Sequence, residues 1–133
     1  LLAGCSGEEA PPAWAPAQQF YQHLQADKYQ QAARGLHPRF LEAAGGDSAW
    51  AAQQAAWQQQ HGAPQQWRLE AWATHTIEGA GLPGTYYILQ VQVQYPDTNL
   101  LEQLNYRYPD DRPGPQLMTR NRTRVPQPAD TKY

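Results

Sequence analysis

Glu102 is the residue whose surroundings most invite chemistry. It lies between Leu100 and Leu104, in a run where apolar residues alternate with polar ones. A carboxylate on an apolar stripe is expected to titrate above its ordinary value, because burial disfavours the charged form. That is how a general base is tuned. Alternation in neighbouring segments sets His75, Tyr87 and Tyr106 on the same expected face. Glu102 and His75 are therefore the candidate catalytic residues. Tyr87, Glu102 and Tyr106 are the candidate pocket. A bulge or a shifted register would instead turn Glu102 to solvent, and a histidine near a strand end is commonly an edge residue. The expectation is of a protein that is not an enzyme. No metal or cofactor is expected either: His23, His37, His61 and His75 never recur at i, i+3 or i+4, and no CxxC occurs.

Arg120, Arg122 and Arg124 alternate along residues 116–125. Strict alternation puts them on one strand face, opposite Leu117, Thr119, Asn121, Thr123 and Val125. Arg107 and the glutamines at 90, 92 and 94 are expected to share that open face. Arginine suits interfaces through its planar, bidentate donors, so the row is a candidate surface for a partner protein or anionic headgroups. The plain alternative is a charged edge strand protected against aggregation. Trp50, Trp57 and Trp67 fall on apolar stripes and are expected in the core. Trp72 falls with Arg68 and Glu70 on the other face and is the aromatic candidate for partner binding.

Leu2-Ala3-Gly4-Cys5 resembles a lipobox, the cleavage motif of bacterial lipoproteins. An apolar residue, two small residues and a cysteine let the extended chain enter a peptidase site. The resemblance implies that residues 1–4 end a signal peptide and that Cys5 is cleaved free and acylated. Several acyl chains make membrane anchoring stable. Ser6 follows the cysteine, where the family places Asp for inner-membrane retention. The resemblance therefore implies an outer-membrane lipoprotein facing the periplasm, with the membrane as partner through Cys5. Residues 5–16, with Glu8, Glu9, Pro11, Pro12 and Pro16, read as a tether with polyproline II character.

The positioning elements follow from periodicity. Residues 17–26, 29–35 and 49–60 read as helices, with Phe20, Tyr21 and Leu24 on the first stripe and Trp50, Gln54 and Trp57 on the third. Phe40 and Leu41 restart an apolar face that Gly45-Gly46 ends. From residue 66 the period becomes 2, giving strands at 66–77, 85–95, 100–108 and 116–125, then a polar tail at 126–133. Short connections make the sheet antiparallel and sequential. The expected fold is α+β: three N-terminal helices on one face of a four-stranded antiparallel sheet, in one domain over residues 17–125.

This order resembles the cystatin-like cone of the nuclear-transport-factor-two-like superfamily, whose enzymes place acidic residues, His or Tyr in a pocket under the helices. Related folds also occur in secretion and conjugation machines, and that resemblance implies a binding or scaffolding module for another envelope protein. The alternative is a pocket binder of a small apolar or glycan ligand.

Composition narrows the classes further. The 133 residues suffice for one domain with a real core. The single cysteine excludes an internal disulfide, and no apolar run is long enough to span a bilayer as a helix. Residues 1–104 hold four basic against nine acidic residues, whereas 105–133 hold six against three. That basic excess is too small to suggest nucleic acid.

Overall fold

A computed structural model of the chain describes residues 10–79, 81–111 and 114–124. The lipobox with Cys5, residues 5–9 of the expected tether, and the tail lie outside the described residues. Within them, four helices precede four strands: α1 (Trp14–Gln25), α2 (Tyr29–Ala33), α3 (Pro38–Ala44), α4 (Asp47–His61), then β1 (Gln66–Ile77), β2 (Gly84–Tyr95), β3 (Thr98–Tyr108) and β4 (Gln116–Arg124). The strands form one antiparallel sheet in the order β1-β2-β3-β4. The fold is α+β, with the helices packed on one face of the sheet, as expected.

Helix α1 begins at Trp14, three residues before the expected boundary. Pro16 is tolerated because first-turn N–H groups have no intrahelical acceptor. Ala17, Phe20, Tyr21 and Leu24 are buried at i, i+3, i+4 and i+7, the stripe of a core-facing helix. Trp14 packs against the core and is part of the helix, although the expected tether included it.

The stretch around Phe40 and Leu41 is a helix of its own, α3, so the helices number four. Pro38 opens it, His37 caps it by accepting the Arg39 N–H at Nδ1 (3.0 Å), and Gly45 closes it at φ 99°. The Gly46 N–H reaches back to the Leu41 carbonyl at 2.8 Å, a Schellman closure that a left-handed glycine permits. In α4 the N-cap is Gly46, with no side-chain cap, so the helix begins two residues before the expected Ala49. Asp47 sits in the first turn, where its charge suits the helix dipole.

The central strands follow the expected faces. Leu89, Val91, Val93 and Tyr95 of β2 and Glu102, Leu104 and Tyr106 of β3 are buried under the helices. The edge strands do not keep theirs. In β1 the pairing shifts between Leu69 and Ala71, and in β4 Met118 is the extra residue opposite Asn105 and Tyr106. Each bulge moves every later side chain to the other face.

On β1 the bulge brings Trp72 opposite Leu89, on the helix side, and His75 opposite Tyr86, on the open side. Alternation without it would have left an indole in water and put Ala71 and Ala73 in the core. Covering about half of a ~200 Å² indole gains roughly 2–3 kcal/mol, more than the roughly 1 kcal/mol of one disrupted ladder bond.

On β4 the bulge brings Arg120 opposite Leu104 and Arg122 opposite Glu102. Strict alternation would have left a buried carboxylate without a cation, an arrangement that costs several kcal/mol. The arginine row therefore lies on the helix-covered face. The open face instead carries a largely uncharged amide surface, including Gln90, Gln103 and Asn121 in one row across β2, β3 and β4.

Candidate functional site

The expected pocket floor is filled by an ionic cluster. Glu102 is fully buried. Its Oε1 accepts the Tyr21 hydroxyl at 2.8 Å and Arg120 Nε at 2.9 Å. Its Oε2 accepts the Tyr95 hydroxyl at 2.5 Å and lies 3.8 Å from Arg122 Nε. Tyr21 comes from the buried stripe of α1, Tyr95 from the end of β2, and the arginines from the bulge-shifted half of β4.

A second layer holds the arginines. Gln54 Oε1 on α4 accepts from Arg120 Nη1 at 2.9 Å and Arg122 Nη2 at 3.1 Å. Gln54 Nε2 donates to Gln58 Oε1, and Gln58 Nε2 reaches the Leu24 carbonyl and the Tyr29 hydroxyl, both at 3.0 Å. Arg120 lies over the Phe20 ring and Arg122 over Trp57, with the guanidinium carbons 5.1 and 4.3 Å from the ring centroids. Such contacts favour a guanidinium most where water is excluded.

The electrostatics reverse the expectation for Glu102. Burial pushes its pKa up, and this is the largest single influence. The charges of Arg120 and Arg122, with the hydrogen bonds from Tyr95 and Arg120, together outweigh burial and hold the carboxyl below the ordinary range. Burial, then the Glu102 charge, pushes the Tyr21 and Tyr95 hydroxyls well up, so they remain donors. Arg122 is lowered by burial and then by the adjacent Arg120 charge. A sealed, ionised carboxylate with both oxygens occupied by donors offers no lone pair to a substrate proton, which a general base must do.

A depressed carboxyl pKa has a defined effect on stability. The folded state favours the ionised form, so the contribution is fully present above the ordinary value of 4.5 and is lost as pH falls through the lower folded value. Urea titrations from pH 6 downward are expected to show wild-type stability falling in that acid window, with a shallower fall in Glu102→Gln. Equal slopes would contradict the pairing.

The other expected site residues separate. His75 stacks on Tyr86 on the open face, with centroids 5.3 Å apart and planes 7° apart, so the sheet divides it from Glu102. Arg107 is buried on the open side, where it donates to the Pro83 carbonyl at 2.9 Å and Gln116 Oε1 at 3.3 Å. It does not share a face with Arg120 and Arg122. Arg124 is exposed at the end of β4.

Tyr106 is buried close to Arg120. Tyr87 is half-buried between Trp72 and Tyr108, with ring centroids 6.3 and 5.4 Å away. These three aromatic residues form a ledge at the end of the sheet. Beyond Trp72, every β1 residue is exposed, so this end of the edge strand is left uncovered. The Nε1–H of Trp72 is buried and has no acceptor among the described residues.

Among the described residues, no group of three His, Cys, Asp or Glu side chains could hold a metal ion, and no helix is long and apolar enough to cross a membrane. Sequence reasoning missed Tyr21, Tyr95, Gln54 and Gln58 as cluster members. Gln54, on the same stripe as Trp50 and Trp57, carried the available signal: a polar residue on a buried face must find partners. No family model, curated protein or solved structure matches the chain.

Proposed function

We propose that this chain is an envelope lipoprotein, anchored to the outer membrane through acylated Cys5 and facing the periplasm. Its domain binds another envelope protein as a scaffolding component of a secretion or conjugation apparatus. The observation that carries the binding reading is the ledge of Trp72, Tyr87 and Tyr108. Three aromatic side chains stay only partly covered beside the end of β1, where residues 73–77 are all exposed. Tryptophan and tyrosine dominate the energetic centres of protein interfaces.

The ionic cluster supports the same reading by its location. It fills the space under the helices that a catalytic pocket would need and holds the sheet to α1 and α4. Partner contact then falls to surfaces outside it, the ledge above all.

Two experiments test the parts separately. Cys5→Ser is expected to move the protein from the membrane to the soluble fraction; retention on the membrane would remove the anchor. In-cell crosslinking of the lipidated protein from the ledge is expected to recover a stoichiometric protein partner. Recovery of lipids and abundant porins alone would remove the scaffold reading.

A further inference from the structure

A groove of about 570 Å³ opens between α1 and α2 above the start of β4. Local pairing creates it. The Leu117 N–H donates to the Gly35 carbonyl at 2.8 Å and the His37 N–H to the Leu117 carbonyl at 2.9 Å, so the segment after α2 is pinned alongside β4. Helix α2 is thereby held over the sheet and a gap to α1 remains. Phe20 and Leu117 line the gap with apolar surface, and Tyr106 joins them.

Tyr106 is only 3 % exposed, and its hydroxyl has no hydrogen-bond partner among the described residues. Burial pushes the Tyr106 pKa up, which keeps the hydroxyl a donor at neutral pH. His23 and Arg34 are also in the lining, and no carboxylate is. Arg34 is exposed and has no acidic partner among the described residues.

We infer that this groove binds a small amphipathic anion, with an acyl or aryl body against Phe20 and Leu117 and a carboxylate facing Arg34 and the Tyr106 hydroxyl. The volume falls within the roughly 300–1,000 Å³ of small-molecule sites, and a few convergent polar groups in an apolar cleft are their usual make-up. A cationic group without an acid nearby selects for charge as well as shape. The inference does not depend on the anchor or on the partner at the ledge.

Decanoate, kept below its micelle-forming concentration, is the probe, with decanol and decyltrimethylammonium as neutral and cationic counterparts. Calorimetry is expected to give saturable decanoate binding, with amide shifts in NMR spectra concentrated in α1, α2 and the start of β4. Arg34→Gln, at an exposed position, is expected to weaken decanoate about tenfold and leave decanol unchanged. Tyr106→Phe is expected to weaken decanoate about three- to tenfold while preserving the ring. The inference is overturned by no saturation at about 1 mM decanoate, by equal affinity for all three probes, by both variants binding like wild type, or by shifts centred on the ledge. Binding to anionic vesicles without binding to monomeric decanoate would overturn it too.

Discussion

Glu102→Leu is expected to lower the unfolding free energy by about 3–5 kcal/mol, the loss typical of removing one partner from a buried ion pair. The substitution strands Arg120, whose side chain is 3 % exposed, and leaves Arg122, at 25 %, without its nearest anion. It also removes the acceptor to which the Tyr21 and Tyr95 hydroxyls donate in the interior. A domain of this size has roughly 5–15 kcal/mol in total, so the loss is a large fraction of its stability. Urea titration followed by tryptophan fluorescence measures the loss.

The control distinguishes charge from packing. Glu102→Leu combined with Arg120→Met replaces the closest pair by apolar groups, and such replacements are often neutral. The double variant should recover at least about 2 kcal/mol relative to the sum of the singles, a coupling energy typical of residues in one network. Additive losses, or a Glu102→Leu loss below about 1 kcal/mol, would show that the cluster does not hold the fold.

Trp72→Ala is expected to cut partner capture by about 30- to 1,000-fold, corresponding to the roughly 2–4 kcal/mol of an aromatic interface anchor. Stability should suffer less, because Trp72 is only partly covered and lies where the edge strand becomes exposed. Arg124→Ser is the matched control: it alters the exposed member of the arginine row and should leave capture intact. Replacing all three arginines together would be uninformative, since two of them neutralise Glu102. Quantitative crosslinking of each lipidated variant, normalised to folded protein, reads the effect. Undiminished capture by Trp72→Ala would move the interface elsewhere.

The central strands were legible because both neighbours pin their register. The alternation of Tyr87, Leu89, Val91, Val93 and Tyr95 on β2, and of Leu100, Glu102, Leu104 and Tyr106 on β3, survives unchanged in the sheet. The burial of Glu102 follows from it. The edge strands were misread from one residue onward, because a bulge adds a residue without any local compositional mark. What selects each bulge is distant in sequence. Glu102 on β3 draws Arg120 and Arg122 inward, and the helix-covered face favours the indole of Trp72 over the methyls of Ala71 and Ala73.

The same non-locality hid the site. The raised pKa expected for Glu102 followed correctly from burial alone, but its cations lay on a strand read as facing outward. The groove between α1 and α2 was hidden for a related reason, since it exists only where Gly35 and His37 pair with Leu117. Helix α3 was half visible: Pro38 and Gly45 marked its ends, yet its seven residues offer too few turns for periodicity to declare a helix.

The most direct test of the ionic cluster is the pH titration of the Glu102 side-chain carboxyl by carbon-13 NMR. A carboxylate held by Arg120, Arg122, Tyr21 and Tyr95 is expected to stay ionised below the pH at which an ordinary glutamate protonates, with the folded state intact at the start of the titration. A Glu102 carboxyl that takes its proton at or above the ordinary value of 4.5 would contradict the cluster and return Glu102 to candidacy as a base.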